Sequence, residues 1–334
     1  MIQFCARATR ALSFFFVSRA HCVLFRTQLI AFILTFISYP LHTHASPTLK
    51  VLTTTSIIAD TTREIAGDLL LVDSLMGPGV DPHLYKPSPG DIRKLSDASL
   101  ILHTGLHLEG KMGDILTKLS RRTRVRAVTD AIPTERLRKV SAAGDAYDPH
   151  VWFDVSLWIE VASAIREELC QLDPAHAATY SARSQLLEKK LRSLHSWCTT
   201  QIASIPAAKR VLITAHDAFG YFGRTYDIEV MAIQGISTDS EASLREINNL
   251  VHTIVTREIP AVFVESTLPT KAIEALVEGA QSRGHRVKIG GQLLSDALAE
   301  AGSDGDTYER MVRHNVSTIV AGLSQSVVAT NEVQ

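Results

Sequence analysis

The sequence predicts an α/β protein of two lobes on parallel-type sheets, bridged by one long rigid α-helix. Two observations carry this. From residue 48 onward, short apolar runs of strand type alternate with amphipathic helical stretches, the pattern of parallel sheets. Near the middle, residues 175–204 contain neither Gly nor Pro. There Leu186, Leu187, Leu191, Leu194 and Trp197 recur at spacings of three and four with charges between. The length of 334 residues suits two lobes, each with its own core.

The first lobe is expected at 48–173. Lys50-Val-Leu-Thr-Thr54 reads as a strand and 57–66 as an amphipathic helix. A second strand at 70–76 runs into the turn Gly77-Pro-Gly-Val-Asp81, and a helix follows at 89–97. Ser99-Leu-Ile-Leu-His-Thr104 is a third strand and 125–128 a shorter fourth; 156–172 is helical. The linking helix is expected at 174–205. Asp173 is a suitable N-cap and Pro174 a suitable first helical residue. A helix of about 30 residues is about 45 Å long. The second lobe, 206–328, repeats the theme with strands at 210–214, 229–233, 261–265 and 286–289. Its helices fall at 241–257, 271–283 and 308–323, and 329–334 reads as a frayed tail.

Residues 1–45 read as a secretory signal rather than as part of the fold. Arg7, Arg10, Arg19 and Arg26 precede an apolar run at 29–38, and Thr43-His44-Ala45 supplies a small-residue cleavage motif. The run is about half the ~20 residues that span a bilayer. The basic region is long, so a true start downstream of Met1 or an uncleaved anchor are the alternatives to cleavage after Ala45. The chain would then work in the periplasm. No Cys follows Leu29 until Cys170, which disfavours lipid attachment there. Cys170 and Cys198 read as two buried thiols, with a disulfide as the other option in an oxidising compartment. The net charge of −1, from 34 basic and 35 acidic residues, offers no basic excess for nucleic acid.

Four residues in separate loops carry the chemistry: His83, His150, His216 and Asp296. Three imidazoles and one carboxylate make a complete set of donors for a divalent transition metal. His83, His216 and Asp296 each follow a predicted strand, where parallel sheets bind ligands. The preceding segment of His150 is a loop. Asp-Pro-His occurs at 81–83 and again at 148–150. Proline stiffens the backbone before each imidazole. Asp81 and Asp148 can accept from a non-ligating ring nitrogen, or else only cap local turns. His103 and His107 fit packing or supporting roles better than ligation. His176, His195, His252, His285 and His314 fall on helices or their edges and read as solvent-facing. Glu265 ends a buried strand and either faces the cleft or holds backbone groups.

Several motifs, in order, then resemble one family. They are Val80-Asp-Pro-His-Leu-Tyr85, Thr104-Gly-Leu-His-Leu-Glu109, Asp148-Pro-His-Val-Trp-Phe-Asp154, Ala215-His-Asp-Ala-Phe-Gly-Tyr221, Phe263-Val-Glu265 and Leu294-Ser-Asp296. This set is similar to the periplasmic receptors of ABC importers for zinc and manganese, the cluster A-I solute-binding proteins. The resemblance spans 48–323. It implies two α/β lobes bridged by one helix, ligands at His83, His150, His216 and Asp296, a membrane permease as partner, and Zn or Mn as the transported ion. A monomer is expected. Zinc-specific relatives carry a long His-rich loop between the first two ligands, whereas residues 140–147 here are short and lack His. Some manganese receptors carry Glu where this chain has His216.

On this reading the protein is not an enzyme. It binds one divalent ion with high affinity outside the cytoplasm, closes by a small tilt of the second lobe, and delivers the ion to an ABC permease. Binding weakens below about pH 6, where imidazoles protonate. The alternative is an exported zinc-dependent hydrolase with Asp217 or Glu265 as base. No His-Glu-x-x-His run supports it. An adhesin reading lacks any repeat, stalk or sorting signal in the sequence.

Overall fold

Residues 49–141 and 144–324 are described by a computed structural model. The leader expected at 1–45 and the tail at 329–334 lie outside the described residues. In the first half, β1 (Lys50–Thr53) lies between β2 (Leu71–Ser74) and β3 (Leu100–His103), and β4 (Arg124–Ala127) follows β3. All three pairings are parallel, as the alternation predicts. Leu100, Ile101 and Leu102 are all buried, so β3 is apolar on both faces, as a covered parallel strand requires.

Helices start where side chains can satisfy their free N–H groups. Thr55 caps α1 (Ser56–Ala66) by accepting from the Ile58 N–H. Ser88 and Asp91 form a reciprocal cap on α2 (Pro89–Asp97). The short α3 (Gly113–Leu119) precedes β4. Asp154 caps α4 (Val155–Leu172) through the Ser156 and Leu157 N–H groups.

The linking helix is α5 (Ala177–Ala203), preceded by a 3-10 turn at Pro174–His176. Asp173 does not cap that turn as expected. Its carboxylate instead accepts from the Tyr180 hydroxyl at 2.7 Å and lies 2.6 Å from His176 Nδ1. Tyr180, Leu187, Leu191, Leu194, Cys198 and Ile202 form the buried stripe. Leu186 points outward at 59% exposure, so the stripe is narrower than the sequence reading.

In the second half β5 (Val211–His216) pairs with β6 (Glu229–Gln234), and β7 (Ala261–Glu265) pairs with β8 (Lys288–Leu293). Both pairs are parallel, and β7 runs alongside β5. The flanking helices are α6 (Gly220–Tyr226), α7 (Leu244–Thr256), α8 (Lys271–Ser282) and α9 (Tyr308–Ser324). β8 extends past the predicted end at Ile289. Its Gly290 is retained in the strand because the Phe263 ring lies where a Cβ would stand.

The largest apolar cluster runs through both halves. It joins Val51 and Leu100 of the first sheet to Leu293, Met311 and Ile319 of the second half, by way of Leu187, Leu191 and Leu194 of α5. Smaller clusters lie around Val211, Ile254 and Val262 and around Leu52, Leu95 and Ile101. Separate cores for the two halves are therefore not what forms. The reason is that α5 packs on α1 and α4 from one half and on α6 and α9 from the other. Leu194→Ala should destabilise the fold by about 2–5 kcal/mol. Leu186→Ala should stay within about 0.5 kcal/mol of the parent. Urea denaturation of both variants checks this.

Candidate metal centre

The strand ends bring the four sequence-predicted ligands together. His83 follows β2 through the turn at 77–82, His216 is the last residue of β5, and Asp296 lies three residues past β8. His150 opens a 3-10 turn, Val151–Phe153, ahead of α4. One donor atom from each of His83, His150, His216 and Asp296 lies within 4.8 Å of all the others.

The individual separations are close to those a small cation imposes. His83 Nε2 is 3.3 Å from His150 Nε2 and 3.9 Å from Asp296 Oδ2. His150 Nε2 is 3.6 Å from Asp296 Oδ1, and His216 Nε2 is 3.3 Å from Asp296 Oδ2. Tetrahedral ligands about 2.0–2.1 Å from zinc stand about 3.3–3.5 Å apart. Both Asp296 oxygens face imidazole nitrogens, so the carboxylate can bind through one oxygen or both.

Behind these four residues, other groups hold the rings of His150 and His216 and the backbone of His83. Asp148 Oδ1 lies 2.7 Å from His150 Nδ1 and accepts its proton, which leaves the Nε2 lone pair turned to the site. Arg138 donates to the other Asp148 oxygen at 2.8 Å and to Asp217 at 3.1 Å. Its guanidinium lies over Gly220 and leaves no room for a Cβ there. Tyr221 donates to the Asp148 carbonyl and accepts from the Arg138 N–H. Glu265 accepts the His216 backbone N–H at 2.9 Å, and its second oxygen lies 2.6 Å from His216 Nδ1. Of its two expected roles Glu265 takes the backbone-holding one, and it stands behind the His216 ring instead of facing the other donors. Asp81 differs from Asp148: it accepts the His83 backbone N–H at 2.8 Å, the turn-capping role. Trp152 donates to the Ser295 carbonyl at 2.9 Å and so joins the His150 turn to the Asp296 loop.

Burial leaves the site with demands that the protein alone does not meet. Neither ring nitrogen of His216, neither oxygen of Asp296, nor Glu265 Oε2 has a hydrogen bond of good geometry, although all are buried. Unpaired buried polar atoms are costly and rare. A divalent cation among the four donors answers that demand for His216 Nε2 and both Asp296 oxygens, while His216 Nδ1 and Glu265 Oε2 face each other at 2.6 Å, so the residues fit a metal.

The remaining expectations sort as follows. His103 stands 3.7 Å from Glu109, which is itself held by Thr54, Thr104 and Gly105. His107 is exposed in a left-handed turn, φ 66°, away from the four ligands. His176 and His252 are exposed as expected. His195, His285 and His314 are instead half-buried: their rings lie at hydrogen-bond distance from the Tyr226 hydroxyl, the Ile259 carbonyl and the Gln292 carbonyl. Cys170 and Cys198 are free thiols, the former half-buried and the latter buried. The hydrolase reading loses its bases, because Asp217 is held by Arg138 and Glu265 stands behind the His216 ring. Arg138 was not singled out in the sequence; nothing local marks it, since both partners come from the tertiary fold.

Residues 51–322 match the family model ZnuA, zinc-uptake complex component A, periplasmic. The chain is 47% identical over 279 residues to the manganese-binding lipoprotein MntA of Bacillus subtilis, covering 84% of this chain and 91% of the relative. It is 46% identical over 275 residues to the zinc-binding protein TroA of Treponema pallidum, covering 82% and 89%. The solved structure of periplasmic zinc-binding TroA from Treponema pallidum superposes with a TM-score of 0.81, covering 84% of this chain and all of that one. The chain thus belongs to the ZnuA family of metal-binding receptors, which are solute-binding proteins and not enzymes.

Proposed function

We propose that this protein captures one Zn or Mn ion outside the cytoplasm through His83, His150, His216 and Asp296 and delivers it to an ABC permease. The observation that carries the reading is the convergence of four buried donors, of which His216 and Asp296 have no hydrogen-bond partner. The relatives named above include one zinc-binding and one manganese-binding protein at nearly equal identity. The donor set of three nitrogens and a carboxylate binds Zn more tightly than Mn in solution. Metal content of protein isolated from its own cell envelope is therefore the test of the cargo. We read 48–173 and 206–328 as lobes with 174–205 linking them, the leader as directing export to the periplasm or tethering the chain there, and the receptor as a monomer.

The charge balance favours a dication. Arg138 lies between Asp148 and Asp217 and offsets one of their two charges. Among the described residues Glu265 has no Lys or Arg paired with it and stands directly behind His216. Asp296 and Glu265 together supply two negative charges against M²⁺, where the sequence alone suggested one. A closed site in which two carboxylates face the dication suits capture; catalysis needs an open position.

In the metal-free protein the ring of His216 is pushed well above its ordinary titration range. Burial opposes its charge, but the Glu265 and Asp296 carboxylates outweigh burial. Burial and the two neighbouring rings push His83 down to about 4, against the pull of Asp296. His216 therefore carries a proton near neutral pH and His83 does not. Metal needs the neutral ring, so binding expels that proton and affinity rises with pH.

Three outcomes follow for the purified protein. It should bind one ion per chain, and His216→Ala should weaken binding at least about 100-fold while the metal-free protein stays folded, read by chelator competition. Glu265→Gln should weaken it about 10–100-fold, because one carboxylate is left against the dication. Calorimetry near pH 7 in buffers of different ionisation enthalpy should show release of about one proton per ion; no buffer dependence would refute the assignment to His216.

A further inference from the structure

The two halves are joined around the metal centre at places that differ in strength. Trp152 reaches the Ser295 carbonyl on the Asp296 side. Arg138 reaches Asp217 on the side of His150 and His216. On the His83 side the join is a strap, residues 235–243, between β6 and α7. Its root is tied to the His216 loop, because the Asp217 N–H donates to the Gly235 carbonyl at 3.2 Å. Its middle reaches the first half twice. Thr238 donates to Asp81 Oδ2 at 2.6 Å, and Lys111 donates to Asp239 at 2.9 Å.

Thr238 is buried, 8% exposed, while Ser237, Asp239 and Ser240 beside it are exposed. The Asp81 carboxylate that receives its hydroxyl also holds the His83 backbone N–H through its other oxygen. The chain of contacts is therefore Thr238, Asp81, His83. His83 is also the least enclosed ligand: its side chain is 4% exposed, whereas those of His150, His216 and Asp296 are fully covered. A departing ion meets solvent first on the side that this strap covers.

We infer that Thr238 is a positioning residue that latches the strap onto the His83 loop and sets how slowly the bound ion leaves. The inference rests on the metal-binding reading above. The strap is held by one hydroxyl on a carboxylate and by the exposed Lys111–Asp239 pair, which solvent screens, against the half-buried Arg138 pair and a buried indole at the other joins. It is the join that a docking partner can open at least cost, freeing His83 while the other three ligands stay in place.

The test is the rate of zinc loss to a chromogenic chelator in stopped flow, for the parent protein, Thr238→Val and Thr238→Ser. One ion per chain in the parent first establishes the site; failure there overturns the metal-binding reading itself. With the site established, Thr238→Val should keep the stoichiometry and speed zinc loss about tenfold, since a hydrogen bond to a charged group is lost. Thr238→Ser should restore the parent rate within about twofold. Thr238→Val should also lower the melting temperature of the zinc-loaded protein more than that of the metal-free protein. Unchanged zinc loss in Thr238→Val, no rescue by Thr238→Ser, or equal melting losses with and without zinc would each overturn the latch.

Discussion

Three imidazole nitrogens and one carboxylate facing each other in a buried space form the constraint on which the rest of this structure depends. His83 and His150 meet through their Nε2 atoms at 3.3 Å, while the buried His216 nitrogens and Asp296 oxygens demand partners that the protein does not supply. A proton on His216 relieves part of that demand, and a dication relieves more of it. The surrounding chain is organised to keep the rings from turning away. Asp148 fixes one ring and Glu265 another, and Asp81 fixes the backbone of the third. Each histidine is thus held by a carboxylate outside the set of four converging donors.

The two supporting carboxylates are not equivalent, and the difference is electrostatic. Asp148 shares its charge with Arg138, which also holds Asp217. Without that guanidinium, two carboxylates would stand near the metal with nothing to balance them. Glu265 lies at the end of a fully buried strand, and its oxygens go to the backbone and ring of one residue, His216. A buried carboxylate without a cation is costly, and a bound dication nearby offsets the cost. Site charge and site burial are therefore linked: a dication and the Arg138 guanidinium offset most of the carboxylate charge that burial has enclosed.

Much of this was legible in the sequence. The repeated Asp-Pro-His, the strand ends before His83 and His216, and the order of motifs marked all four residues whose side chains converge. The Gly-free and Pro-free stretch marked the linking helix to within a turn, because helix breakers are local signals. What escaped depends on contacts between distant segments. Arg138 and Thr238 are ordinary surface-type residues until the fold places Asp217 and Asp81 beside them. Leu186 fits the apolar spacing as well as Leu187 does, and only the packing of α1, α4 and α9 around α5 decides which is covered. Gly290 suggests the end of a strand, yet the strand continues, since the Phe263 ring takes the space that a side chain would fill.

The continuous core bears on how such a receptor can open. Two halves with separate cores could swing apart at little cost, with the linker as hinge. Here Leu187, Leu191 and Leu194 of the linking helix belong to one apolar cluster with residues of both sheets. A wide swing would expose that cluster, at about 25 cal/mol for each Å² uncovered. Opening the strap on the His83 side uncovers less apolar surface, since Ser237, Asp239 and Ser240 already face solvent and Ile236 and Ala242 are only partly buried. The lower-cost motion is thus a local one at the rim of the centre, and it lies beside the one ligand whose ring already touches solvent.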